Sequence, residues 1–194
     1  MEVKSERLSL IGFKKELLSS QVMSWFENAN LMKYYTNSKK PITKEVLLSS
    51  VEEGAIRGVN FTYFIVYNRT QKLIGTIKIG PINIAHKISD LVALVGEKVE
   101  GEKGIGTEAI KLGINLAFDV HDIRKLYGGM YASNVASIKA YTRAGWIVEG
   151  LLKGHYIENG DNVDRILVGC FNPQYFEEQE IKKAKYEPWY EKNS

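Results

Sequence analysis

Gly101-Glu-Lys-Gly-Ile-Gly-Thr107 is the stretch of this chain best suited to chemistry. Glycines let a backbone turn tightly and aim its N–H groups inward, and a helix starting there adds the positive end of its dipole. Such a loop cradles an anion, above all a phosphate. Three phosphate-binding patterns share this physics, and spacing separates them. Gly101 and Gly106 have the glycine spacing of a P-loop, but Thr107-Glu108 follows where Lys-Ser/Thr is required. Gly104-Ile-Gly106-Thr-Glu-Ala109 fits a dinucleotide fingerprint, yet the segment 124–130 offers no acid about 20 positions on to hold a ribose. An NAD-binding oxidoreductase stays open on this loop alone.

The loop must be held by what flanks it. Before it, the apolar run 91–96 reads as a buried strand. After it, residues 107–119 read as an amphipathic helix, with Glu108, Lys111, Asn115 and Asp119 on one face and Ala109, Leu112, Leu116 and Val120 on the other. Elsewhere, 7–11 predicts a first strand, and 15–28 and 43–57 predict helices. Residues 61–67 and 73–79 predict a hairpin, its aromatics Phe61, Tyr63, Phe64 and Tyr67 packing as strand core. A long connection spans 80–90, and 125–131 forms another strand. Late in the chain, 146–157 and 162–171 flank Asn159-Gly160, whose residue types suit the positive φ angles of a type I′ turn. Glu177, Glu178 and Glu180 ahead of Lys182, Lys183 and Lys185 predict a short charged helix in the tail.

Composition describes a globular domain of ordinary kind, 44% hydrophobic and 25% charged over 194 residues, long enough for a sizeable core. No apolar run approaches the ~18 residues of a membrane span, and the charged start Met1-Glu-Val-Lys is no signal peptide. A cytoplasmic protein without membrane association is expected. Cys170 is the one cysteine, which leaves no intramolecular disulfide and no thiolate metal cluster; flanked by apolar residues, it reads as core. A net charge of +3 is too mild to point to nucleic acid.

A second block sits downstream, Asn134-Val-Ala-Ser137-Ile-Lys-Ala-Tyr141-Thr-Arg-Ala-Gly145-Trp146. Asn134 suits a helix N-cap, Ile138, Tyr141 and Ala144 share a face, and Gly145 suits the residue after the helix. The two blocks together resemble the GNAT superfamily of N-acetyltransferases. The loop is similar to that family's pyrophosphate loop, Gln/Arg-x-x-Gly-x-Gly/Ala, with Gly101 in place of Gln or Arg. The second block is similar to its Asn-x-x-Ala/Ser-x-x-x-Tyr-x-x-x-Gly-Phe segment. Ser5-Glu-Arg-Leu-Ser-Leu10, Glu149-Gly150 and Tyr156 to Asp164 resemble the ribosomal-protein-alanine acetyltransferase branch.

This resemblance implies an α/β (α+β) fold with one central, mixed, mostly antiparallel sheet of about seven strands. It is flanked by helices and splayed between the fourth strand (91–96) and the fifth (125–131). It implies a single domain over 1–172 with a charged extension over 173–194, as monomer or homodimer. The implied reaction is direct transfer of acetyl from acetyl-CoA to an amine. The pantetheine arm would pair with the backbone of Leu94, Val95 and Gly96 as an added strand. The pyrophosphate would sit on the amides of Glu102, Lys103, Gly104, Ile105, Gly106 and Thr107. Asn134 and Ser137 would contact the pantetheine or adenosine arm, and Lys139 a phosphate. Lys98 and Lys103 read equally as solvated charges.

An alkylammonium must lose a proton before it attacks, and the departing thiolate gains from an acid. The resemblance makes Tyr141 the acid, against the plainer reading of a packed tyrosine with its hydroxyl tied. It makes Asp90 the candidate base, with Glu97, Glu100, Glu149, His155 and a water relay as rivals. His86 reads as a solvent-facing loop residue and His121 as a helix C-terminal dipole partner. Tyr34-Tyr35 and the tail's Tyr186, Trp189 and Tyr190 could line an acceptor pocket, a lid or a dimer face, or simply pack. The acceptor could be an amine of a nucleotide-linked sugar, a protein N-terminus or a polyamine. Lys33, Lys39, Lys40 and Lys44 lean toward an anionic one. A noncatalytic acetyl-CoA sensor would keep the same binding residues.

Overall fold

The computed structural model describes residues 2–35, 42–99 and 101–193, so Lys39, Lys40 and Glu100 lie outside the described residues. Two antiparallel-rich sheets carry the fold. The first takes β1 (Glu2–Lys4), β2 (Leu8–Gly12), β3 (Phe61–Tyr67), β4 (Lys72–Ile79) and β6 (Leu91–Val95) in the order β1-β2-β3-β4-β6. The second takes β5 (Ile88–Ser89), β7 (Lys125–Tyr131), β8 (Ile147–Glu158) and β9 (Asp161–Phe171) in the order β5-β7-β9-β8. Only β5 with β7 is a parallel pair among the described strands. The expected splay between 91–96 and 125–131 is the seam where the two sheets part. Among the described residues the strands number nine rather than about seven, because β1 and two-residue β5 are too short to leave a pattern in sequence.

Helices α1 (Ser20–Glu27), α2 (Ala29–Met32) and α3 (Lys44–Ile56) lie between β2 and β3. Within the segment 15–28, Lys15–Leu17 is a 3₁₀ turn, and Ser19 caps α1 by accepting from the Val22 N–H. Thr43 caps α3 in the same way through Val46. Alternation along β3 divides its aromatics between two cores. Tyr63, Ile65 and Tyr67 join the main core with Ile105, Ala109 and Ile110, while Phe64 joins Trp25, Val22 and Leu94. The first and second sets therefore lie on opposite faces of one sheet.

Helix α4 (Ile105–Asn115) starts two residues earlier than the periodicity predicts, directly behind Gly104, and closes in a π turn over Leu116–Val120. Ala109, Leu112 and Leu116 are buried as expected, but Val120 is exposed. The wider π turn rotates the last residues off the 3.6-residue stripe. His121, following it, pairs with Tyr63 Oη at 2.7 Å and lies against the Phe61 ring, and burial lowers its pKa. A histidine held neutral is a hydrogen-bond partner, not the cationic dipole partner expected.

Asn134 caps α5 (Val135–Arg143), accepting from the Ser137 N–H, and Gly145 follows at φ 103°. The β8–β9 turn has Asn159 at φ 53° and Gly160 at φ 92°, as a type I′ turn requires. In the tail, α6 (Glu178–Lys183) is the charged helix, and α7 (Glu187–Asn193) follows. The tail packs: the Tyr186 N–H donates to Val148 O, and the Val148 N–H donates to Tyr190 Oη. This caps part of the outer edge of β8, a backbone row otherwise open to strand pairing.

Candidate active site

The seam between β6 and β7 is a cleft of about 590 Å³. It brings together Asp90, Leu94, Val95, Asn134, Ser137 and Tyr141 from the sequence reading. Tyr34 and Tyr35 line it as well, whereas Tyr186, Trp189 and Tyr190 belong to the packed tail.

Tyr141 is buried, and its hydroxyl donates to Leu91 O at 2.9 Å while accepting from the Ala93 N–H at 3.1 Å. Burial, then the nearby Asp90 charge, raises its pKa, so the phenol stays protonated through neutrality. The hydroxyl thus occupies main-chain positions on the free side of β6. Residues at i and i+2 of a strand turn their backbone groups the same way, so Val95 faces the seam together with Leu91 and Ala93. Leu94 O lies against Gly75 of β4, and the Gly96 N–H donates to Ile74 O at 2.8 Å. Of the expected pairing residues, Val95 faces the seam and Ala93 joins it, while Gly96 is where Trp25 packs: a Cβ there would come 2.3 Å from the indole.

Asp90 sits half-buried at the head of β6, its Oδ1 accepting from the Leu91 N–H at 2.7 Å. Burial pushes its pKa up to about 6; the Leu91 N–H and the charges of Lys78 and Arg165 pull the other way. Tyr35 is its neighbour, pushed up to about 12 by burial and by the Asp90 charge. A carboxylate near pH 6 is matched to proton transfer at neutral pH. The rival acids Glu97 and Glu149 are engaged elsewhere. Glu97 accepts from Trp25 Nε1 at 2.8 Å, and Glu149 pairs with Lys125 at 2.6 Å. His155 is exposed on β8 beside Arg165, 3.3 Å from its Nη1, and His86 is exposed as expected. Cys170 is buried, and burial pushes its thiol up to about 12, consistent with a core residue.

The glycine loop lies at the far end of the seam. Gly101 at φ 74° and Gly104 at φ 79° both need the left-handed region, and no atom within 4 Å crowds a Cβ built on Gly101. Gly104 is the N-cap of α4, so the amides of Ile105, Gly106 and Thr107 head the helix. The Glu102 N–H turns back to Val99 O at 3.2 Å, leaving the cradle to the later amides. Lys98, Lys103 and Lys139 are exposed. The dinucleotide reading fails on topology: the strand before the loop, β6, runs antiparallel to β4 at the edge of an antiparallel sheet, not within the open parallel sheet that a dinucleotide fold requires.

Three site residues escaped the sequence reading. Arg7 clamps the loop from β2's leading edge, reaching Glu102 at 2.7 Å, Lys103 O at 3.0 Å and Glu108 through Nε at 2.7 Å. Trp146 is 2% exposed beneath Tyr141, with ring centroids 5.0 Å apart. Arg165 lies over Gly129. Arg7 stands within Ser5-Glu-Arg and Trp146 closes the second motif block, whereas no local pattern marks Arg165.

A family model described as an acetyltransferase (GNAT) domain matches residues 7–147. The spermidine N(1)-acetyltransferase of Escherichia coli K12 is 28% identical over 151 residues, covering 78% of this chain and 79% of that protein. The spermidine N-acetyltransferase from Vibrio cholerae, solved with CoA and spermine, superposes at TM-score 0.77 with 18% identity, covering 88% of this chain and 99% of that one. The ribosomal-protein-S5-alanine acetyltransferase from Vibrio fischeri superposes at 0.74 with 19% identity, covering 91% and 100%.

Proposed function

The chain belongs to the GNAT acetyltransferase family and is an acetyl-CoA-dependent N-acetyltransferase; from that premise we propose that Asp90 and Tyr141 manage the two protons of direct transfer to a primary amine at the mouth of the β6–β7 cleft. The observation that carries this is their joint placement: both stand on the seam, one at the head of β6 and one hydrogen-bonded to its free backbone edge.

In this reading the loop amides of Ile105 to Thr107 hold the pyrophosphate, and Val95 and Ala93 offer main-chain groups to the pantetheine arm. The arriving ammonium gives a proton to the Asp90 carboxylate, directly or through one water. The neutral amine forms a C–N bond with the thioester carbonyl carbon as the C–S bond breaks, and the nitrogen's second proton leaves through water, which returns to Tyr141 any proton the sulfur takes from it. The Tyr141 hydroxyl, kept protonated by burial, turns its hydrogen bond from Leu91 O to the departing sulfur. Asn134 and Ser137 border the arm's path. Similar proteins are a spermidine acetyltransferase and a ribosomal-protein alanine acetyltransferase; in this reading the acceptor for this chain is a primary amine.

CoA-thiol release from acetyl-CoA, measured with polyamines, N-terminal peptides and amino sugars with and without attached nucleotide, tests the reading. Turnover with one member supports it. Tight acetyl-CoA binding with no turnover on any amine would favour a sensor instead.

A further inference from the structure

On the face of β7 away from the main core, Arg165 lies flat against Gly129. A Cβ on Gly129 would come 1.9 Å from Arg165 Nε, so this slot exists because residue 129 has no side chain. Nε is buried and has no hydrogen-bond partner. The guanidinium sits 5.8 Å from the Tyr156 ring centre, and Nη1 lies 3.3 Å from His155 Nε2. Among the described residues, no carboxylate lies within ion-pair distance of Arg165. The nearby cations differ: Lys33 has Glu158 at 2.9 Å, Lys153 has Asp164 at 2.8 Å and Lys125 has Glu149.

The slot opens onto the acceptor end of the cleft. Arg165 stands opposite Tyr131 in the β7–β9 register, and Tyr131 stacks on Tyr156 at 3.8 Å and meets Tyr34 at 5.4 Å. Tyr34, Tyr131 and Gly129 all line the cleft, as does Lys78. Trp146 packs from the opposite, core face of β7, beside Gly128. Asp90 Oδ1 lies on that core face too, 3.4 Å from a Cβ built on Gly128, yet its carboxyl still feels the Arg165 charge, so the arginine borders the Asp90 end of the cleft from the other face of β7.

A partly desolvated guanidinium costs free energy unless an anion compensates it, and its planar fork suits carboxylate or phosphate oxygens. We infer that Arg165 binds an anionic group, carboxylate or phosphate, carried by the acceptor close to its amine, and so selects against polycationic acceptors. This deepens the acetyl-transfer reading and rests on it for the identity of the site. A polyamine brings several positive charges to an end of the cleft that already holds Arg165 and Lys78. An amino acid or a phosphorylated amino sugar would place its ammonium toward Asp90 and its anion in the slot.

Matched acceptors test this: glucosamine 6-phosphate against glucosamine, an α-amino acid against its amide, and spermidine. The anionic member of a pair should have kcat/KM at least ~10-fold above its neutral partner, a difference of about 1.4 kcal/mol. Arg165→Met should erase that preference, read as the ratio of kcat/KM within each pair so that any common change through the Asp90 carboxyl cancels, while acetyl-CoA affinity stays within about twofold; Arg165→Lys should restore part of the ratio. Gly129→Ala should expel the guanidinium and produce the same loss by another route. Equal kcat/KM within each pair, or a preference surviving Arg165→Met, would overturn the inference. A second measurement does not depend on turnover: with CoA saturating the glycine loop, inorganic phosphate should raise the Tm of wild type and not of Arg165→Met. Phosphate protection without turnover by any amine would leave the slot standing and count against the acetyl-transfer assignment. Equal Tm shifts in both proteins would dispose of the slot alone.

Discussion

Asp90→Asn separates activity from stability, because the same burial that tunes the carboxylate also destabilises the fold. The asparagine keeps an oxygen for the Leu91 N–H at 2.7 Å but cannot ionise. The folded-state pKa of about 6 lies above the ordinary 3.8. A carboxyl shifted upward contributes its stability below about pH 4 and loses it as pH rises through about 6. At about 1.4 kcal/mol per pH unit, ionised Asp90 costs the folded state up to about 3 kcal/mol at neutrality. Roughly 2 kcal/mol of that falls between about pH 4.5 and pH 8. Urea unfolding of both proteins across that range should show the asparagine variant gaining on wild type by this amount, largest at high pH. In parallel, wild-type kcat/KM should fall as pH drops through about 6, since the base works as the carboxylate. The variant should lose that limb and at least ~100-fold in rate. A stability gap independent of pH would refute the burial argument. An unchanged pH–rate limb in Asp90→Asn would remove Asp90 as the base.

Tyr141→Phe takes away the acceptor of the Ala93 N–H and the donor to Leu91 O; stability should drop by about 1–3 kcal/mol, and kcat by at least ~10-fold with acetyl-CoA affinity intact. A loss of stability with kcat preserved would mean that the hydroxyl only ties the seam. Arg7→Met leaves Glu102 and Glu108 uncompensated beside the phosphate cradle. CoA should then bind at least ~10-fold more weakly, acetyl-pantetheine should bind as before, and Glu102→Gln with Glu108→Gln should restore CoA binding in calorimetric titrations.

What short-range physics decides was legible in the residues. Gly104, Asn134, Gly145 and Asn159-Gly160 each mark a backbone angle or cap that few other residue types adopt as easily, and each stands where expected. Alternation located β3, β4, β7 and the hairpin of β8 with β9. Two motif blocks placed the phosphate loop and Tyr141 on one seam, because each block is a local unit of strand, loop and helix. The misses share a different cause. β5 is two residues long, and the π turn that exposes Val120 depends on how α4 meets the chain beyond it. His121 is set by Tyr63 and Phe61, far away in sequence. Arg7 and Glu108 are separated by 101 positions, and Arg165 and Gly129 belong to different strands.

Residue type and spacing by themselves marked the strand, the glycine loop and the helix behind it through φ preference and hydrophobic period, and the likeness of two motif blocks to the GNAT family supplied the fold class and the acetyl-transfer chemistry. Tertiary structure alone decided which carboxylate is tuned toward neutrality, where the Tyr141 hydroxyl points, and which arginine has its Nε buried against a glycine without a partner. Burial and charge proximity are sums over neighbours brought together by the fold, and no local stretch of sequence contains those sums.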